Sequence, residues 1–153
     1  MKTKKILYIL ITALIINSIL IYELLNEKEV GLEKKIVTKI VDGDTIVVEG
    51  GQKVRLIGID CDERGERCYN EAKNRLKELV WEKVVFLESE SEKKDVYNRD
   101  LRYIFLDEKN INAAMVEEGL CVARFESKSK YMEKIKYAEK SAIEKKKGCK
   151  WDS

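Results

Sequence analysis

The sequence predicts an α+β fold in which five β-strands close into a barrel flanked by about three helices, with a separate N-terminal helix ahead of it. Three observations carry this reading. β-branched runs punctuated by glycine-containing turns fill residues 35–59, and the apolar spacing becomes helical from Tyr69. A continuous apolar stretch also stands at the start of the chain, apart from both.

That first stretch runs from Ile6 to Tyr22, is interrupted only by Thr12, Asn17 and Ser18, and follows Lys2, Lys4 and Lys5. A core helix would gather its polar residues on one face, and these are scattered, so the run reads as a targeting segment. Residues 1–25 are therefore expected to be a signal-anchor or signal peptide. With no small-x-small pattern before Glu23, a retained transmembrane helix is favoured over a removed one. The lysines mark the cytoplasmic end, so the rest of the chain is expected outside the cytoplasm, membrane-anchored, or secreted if the segment is cleaved. Residues 26–34, polar with one glycine, read as a tether to a domain over 35–153.

Within that domain, Lys35–Val41 and Thr45–Val48 are strand-like and are joined by Asp42-Gly43-Asp44, a hairpin signal. The turn Glu49-Gly50-Gly51-Gln52 leads into a third strand, Val54–Ile59. Tyr69, Ala72, Leu76, Leu79 and Val80 share one helical face. Val84–Leu87 and Leu101–Leu106 read as two further strands, separated by an exposed polar loop, Glu88–Asp100. Ile111–Glu118 reads as a short helix closed by Gly119 in a left-handed cap, and Tyr131, Ile135, Ala138 and Ala142 stripe a final helix. Five strands broken by a helix after the third is the order of an OB-type barrel, a scaffold that binds oligonucleotides or oligosaccharides across its face.

Composition narrows the chemistry. The 153 residues contain no histidine and no proline, so carboxylates, Lys, Tyr or Cys must do any acid–base work. Outside the N-terminal segment, acidic and basic side chains balance, so a polyanion has to be gripped locally rather than by bulk charge. Lys128–Lys150 holds nine lysines and three glutamates, a pattern that reads first as a solvated helix face. Cys61, Cys68, Cys121 and Cys149 allow three disulfide pairings in an oxidising compartment, with buried free thiols as the alternative.

Three segments concentrate charged residues. The Asp42-Gly43-Asp44 turn is by itself an ordinary hairpin turn. The strand Arg55–Ile59 runs into Asp60, Asp62 and Glu63, and alternation aims Arg55 with apolar neighbours, where it needs an anionic partner, either a salt bridge to Glu63 or a ligand phosphate. In Asp95-Val96-Tyr97-Asn98-Arg99, the arginine stands in a polar turn just before a strand and reads alone as surface charge.

Taken together and in this order, these segments resemble the staphylococcal (micrococcal) nuclease, or thermonuclease, family, and the resemblance extends over about Lys35–Trp151. It implies an OB-fold endonuclease that hydrolyses phosphodiester bonds of DNA and/or RNA with Ca2+, leaving 3′-phosphate and 5′-hydroxyl ends. Asp44 and Asp60 match its calcium carboxylates and Cys61 the residue lending its backbone carbonyl. Glu63 matches the glutamate beside the attacking water, Arg55 and Arg99 the arginines that hold the scissile phosphate, and Tyr97 a tyrosine that approaches a substrate phosphate. Oxygen donors suit calcium, and guanidinium forks suit phosphate.

The sequence departs from the family pattern in several places. Cys61-Asp62 stands where Thr-Pro is usual, which adds Asp62 as a candidate extra ligand. Residues Arg64–Asn70 form a shorter loop, and Val96 replaces a familiar lysine. The family's closing tryptophan segment packs near the strand after the second helix, which implies Cys121–Cys149 and Cys61–Cys68 disulfides. The rival functions are an inactive nuclease-like module that only binds nucleic acid and an anchored structural or oligosaccharide-binding protein. No protein partner is implied.

Overall fold

The structure, a computed structural model, describes residues 2–27, 32–124 and 129–152. It divides into two compact units, Met1–Gly31 and Leu32–Ser153. In the first, the expected N-terminal helix is present as α1 (Lys2–Glu27). Among the described residues, however, no helix is long and apolar enough to cross a membrane. Of the seventeen residues Ile6–Tyr22 fourteen are apolar, the run being broken by Thr12, Asn17 and Ser18, and its rise of about 26 Å is at the short end for a hydrocarbon core of about 30 Å. The transmembrane reading and the membrane as a partner are therefore not supported. The expected tether at 26–34 falls partly outside the described residues. Its described ends belong to α1 and to the first strand of the second unit.

In that second unit the strands β1 (Leu32–Ile40), β2 (Thr45–Val48) and β3 (Lys53–Leu56) form the expected meander, with β4 (Ile59–Cys61) just after it. The helix α2 (Tyr69–Val80) separates them from β5 (Val84–Lys94) and β6 (Asp100–Leu106). The sheet order β3-β2-β1-β5-β6 closes on itself through a parallel β3–β6 pair, so five strands make a barrel. β7 (Lys109–Asn110) pairs antiparallel with the end of β6, α3 (Ile111–Glu117) follows it, and β8 (Cys121–Ala123) pairs with β4 as a second, two-stranded sheet. Helices α4 (Met132–Glu144) and α5 (Gly148–Trp151) close the chain.

The core follows the expected periodicities. Val37, Ile46, Val48, Val54, Leu56, Val85, Leu87 and Tyr103 are buried from the barrel strands, Ala72, Leu76, Leu79 and Val80 from α2, and Ile135, Ala138 and Ala142 from α4. Tyr131 lies one residue before α4 and stacks edge-on against Tyr103, with ring centroids 4.8 Å apart. Fully buried Asn112 on α3 ties the open end of the β3–β6 pair. Its side-chain oxygen accepts from Ile104 N at 3.0 Å, and its amide donates to Ile57 O at 2.9 Å. Gly119 closes α3 at φ +70, as the sequence implied. A Cβ there would stand 1.8 Å from the Lys147 carbonyl, so the residue is also the seat on which the C-terminal segment rests.

Three expectations need correction. The third strand does not run unbroken from Val54 to Ile59: it ends at Leu56, and Gly58 at φ +77 redirects the chain so that β4 pairs with β8. The segment from Glu88 is not a loop. β5 continues to Lys94 and pairs with β6 from Ser89↔Arg102 to Lys94↔Asp100 across a bulge, leaving only a short turn. The disulfides are Cys61–Cys121 and Cys68–Cys149, not the expected pairs. Cys61 and Cys121 are direct partners in the β4–β8 register, which fixes the first bond. The C-terminal segment does pack back onto Gly119, with Lys150 N donating to its carbonyl at 3.0 Å, but this brings the Cys149 sulfur to Cys68 at the start of α2.

Candidate active site

The residues singled out in the sequence come from three places that the barrel brings together. Asp44 ends the β1–β2 turn, Arg55 lies on β3 and Asp60 on β4, and Arg99 stands in the β5–β6 turn. Gly43 makes the first of these placements attainable: a Cβ on it would lie 2.7 Å from Ala72 Cβ and 2.8 Å from Cys61 Cβ. The turn bearing Asp44 can therefore press against α2 and the Cys61–Cys121 disulfide only as glycine.

A continuous polar chain links these side chains. Arg99 Nη1 donates to Thr45 Oγ1 at 3.3 Å, and that hydroxyl donates to Asp44 Oδ1 at 3.0 Å. Asp44 Oδ2 accepts from Cys61 N at 3.0 Å and pairs with Arg55 Nη2 at 3.1 Å. The same nitrogen lies 3.0 Å from Asp60 Oδ1, and Asp60 Oδ2 meets Arg124 Nη1 at 3.3 Å. Arg55 thus has its anionic partners in Asp44 and Asp60, and the alternative salt bridge to Glu63 is not the pairing it makes. Burial pushes the Asp44 carboxyl up to about 6; the Arg55 guanidinium acts against that rise and Asp42 adds to it.

Arg99 is not the free surface arginine its local sequence suggests. Asp95 accepts from Arg99 Nε at 2.7 Å and from the backbone N–H groups of Tyr97 and Arg99, both at 2.9 Å. One carboxylate therefore folds the turn and aims the guanidinium. Burial works against ionisation of Asp95, but these bonds outweigh it and hold its carboxyl below the usual range. Tyr97 is exposed, and the Arg99 guanidinium lies 5.3 Å from its ring centroid.

Arg55, Asp60, Glu63, Tyr97, Arg99 and Arg124 all line one open cavity of about 500 Å³. Glu63 presents an exposed side chain to it on a fixed backbone: Glu63 N donates to Glu66 Oε2 at 2.6 Å and Glu66 N donates to Glu63 O at 3.0 Å. Asp62, considered as an extra ligand, is engaged elsewhere. It accepts from Cys68 N at 2.9 Å and from the Lys150 ammonium, so it anchors α2 and the C-terminal segment rather than the site. Thr45 and Arg124 join the site without having been singled out in the sequence. Thr45 reads as an ordinary strand residue, and Arg124 carries no motif; only the β4–β8 register brings it to Asp60.

Among the described residues, no three His, Cys, Asp or Glu side chains converge as a metal cluster. The oxygen donors on hand are the Asp44 and Asp60 carboxylates, which already meet at a single cationic nitrogen, and the backbone around Cys61.

A closed five-stranded barrel carrying arginines and carboxylates in one open cleft defines a class of OB-type proteins built to meet a phosphodiester chain. The profile of the family described as Staphylococcal nuclease homologue matches residues 53–153. Thermonuclease of Staphylococcus intermedius is 36% identical over 123 residues, covering 74% of this chain and 73% of its own. Thermonuclease of Staphylococcus hyicus is 35% identical over 121 residues, 72% of each chain. Endonuclease YncB of Bacillus subtilis (strain 168) is 32% identical over 126 residues, covering 72% of this chain and 60% of its own. The chain belongs to the staphylococcal nuclease family, and it is a nuclease, a hydrolase acting on nucleic acid.

Proposed function

We propose that this nuclease is a calcium-dependent endonuclease that cuts DNA and/or RNA within the chain and leaves 3′-phosphate and 5′-hydroxyl ends. The observation that carries the reading is the meeting of Asp44 and Asp60 at one point of positive charge, Arg55 Nη2, beside a cavity that Arg99 and Glu63 also line. Two hard oxygen donors from separate elements, one of them a buried carboxylate that gains from a neighbouring cation, fit calcium. Asp44, Asp60 and the Cys61 carbonyl would hold it, with waters filling the rest of about six to eight positions. When bound, the ion supplies positive charge to a phosphate oxygen.

The protein's own residues do the remainder. Arg55 and Arg99 offer guanidinium forks to the oxygens of the scissile phosphate, where negative charge grows during in-line attack. Both are tied down independently of the proposed calcium ligands, Arg55 through Nη1 donating to Leu56 O at 2.9 Å and Arg99 through Asp95, so little reorganisation is needed. Glu63 orients water and accepts its proton from a side chain exposed to the cavity. Tyr97, also in the cavity, contacts a substrate phosphate. Two disulfides support an oxidising compartment, with residues 1–25 acting as an export signal and the domain working outside the cytoplasm.

The test is cleavage of single-stranded DNA and of RNA by the full chain with calcium, with magnesium and with chelator, followed by end analysis. Cutting only with calcium, with new 5′ ends that a polynucleotide kinase labels directly, is the expected result. Equal rates with magnesium alone, or 5′ ends that must first be dephosphorylated, would overturn the reading.

A further inference from the structure

Arg124 has no place in the phosphate clamp assigned above, yet it lines the same cavity from a fixed backbone position. It follows β8 directly, and its backbone N–H donates to Gly58 O at 2.8 Å, one step beyond the Ile59↔Ala123 partners. The Cys61–Cys121 bond locks the other end of the same ladder. The backbone of Arg124 is thus fixed, while its side chain is 62% exposed and reaches across the rim of the cavity to Asp60.

Asp60 carries one negative charge between two guanidinium groups, Arg55 on Oδ1 and Arg124 on Oδ2. The two pairings are unequal. The Arg55 side chain is only 11% exposed and also pairs with buried Asp44, so leaving would strand a buried carboxylate. Arg124 holds a screened ion pair at the surface that costs little to break. Exchange of partners at Asp60 therefore costs less at Arg124 than at Arg55.

We propose that Arg124 is a substrate-binding arm that grips a phosphate flanking the bond being cut. In the free protein it rests on Asp60. When the substrate strand lies in the cleft, its guanidinium fork turns to the neighbouring phosphate while Arg55 and Arg99 hold the scissile one. Its contribution is to affinity for a strand of several nucleotides rather than to the chemical step.

The inference rests on the nuclease reading above, and the experiment separates the two. Binding of a fluorescent single-stranded octanucleotide is measured in chelator across a salt series for the full-length parent, Arg124→Met and Arg124→Lys. Cleavage with calcium is then measured on the octanucleotide and on a dinucleoside monophosphate, which has no flanking phosphate. Arg124→Met is expected to bind about tenfold more weakly and to lower the log–log salt slope by about 0.7. Its KM on the octanucleotide should rise with kcat unchanged, and it should match the parent on the dinucleoside substrate. Arg124→Lys should keep the salt slope and regain part of the affinity. Parent-like affinity and slope for Arg124→Met, or an equal loss on both substrates, overturns the inference while leaving the nuclease reading intact. A parent that neither binds nor cuts overturns both.

Discussion

Arg55 Nη2 stands 3.1 Å from Asp44 Oδ2, with both side chains about nine-tenths buried, and the pair joins the β1–β2 turn to β3. Removing the cation from such a pair leaves a carboxylate stranded without water. Arg55→Met should therefore destabilise the protein by about 3–5 kcal/mol as well as abolish cleavage, and Arg55→Lys should lose mainly rate. Denaturant melts paired with single-turnover cleavage check this. An Arg55→Met protein as stable as the parent would show that the pair is not the internal brace described.

The raised carboxyl of Asp44 gives a pH dependence with a definite sign. It binds its proton more tightly folded than unfolded, so its contribution to stability is complete below about pH 4 and is lost as pH rises through about 6. In chelator, the denaturation midpoint of the parent should fall between pH 4.5 and 7.5 relative to that of Asp44→Asn. Parallel midpoints across that window would contradict the assignment. Calcium should restore the parent above pH 6 and not the variant.

Glu63 is exposed and its backbone turn is closed by Glu66, so its side chain supports no packing. Glu63→Gln should melt like the parent and cut about a hundredfold or more slowly. A near-parent rate would remove Glu63 from the proton transfer.

Arg99 depends on Asp95 for its aim. Arg99→Lys keeps the charge but loses the fork, and the rate should fall about a hundredfold. Asp95→Ala should lower the rate in the same direction by releasing the guanidinium and loosening the turn. Single-turnover cleavage that is unaffected by Asp95→Ala would show that the arm needs no such support.

Peptide mapping of unreduced protein should recover Cys61 joined to Cys121 and Cys68 joined to Cys149. Loss of the second bond through Cys68→Ser with Cys149→Ser should cost about 2–5 kcal/mol. Recovery of a Cys61–Cys68 peptide would refute the observed connectivity.

The barrel was legible because period-two runs and turn residues agree from Lys35 to Val54. The break at Gly58 was not, since Ile57 and Ile59 continue the same β-branched pattern and only pairing with β8 turns the chain away. The extension of β5 was hidden for the opposite reason: Glu88–Lys94 is polar throughout, and strand structure there comes from pairing with β6 rather than from propensity. At the site, Asp44, Arg55, Asp60 and Arg99 were reachable from three segments in the right order, and the structure links them in one polar chain. Asp62 looked equivalent to its neighbours in sequence and differs through Cys68 N and through Lys150, 88 residues away. Thr45 and Arg124 belong to the network through strand register alone.

The two disulfides interleave: one spans residues 61 to 121 and the other 68 to 149. A backbone cut anywhere between Cys68 and Cys121, including the exposed Val96–Tyr97 tip of the β5–β6 turn, lies inside both loops. The fragments on either side remain covalently one molecule. In a protease-rich setting the population would then age by accumulating nicks without shedding pieces, and the two halves of the cleft would part only under reduction.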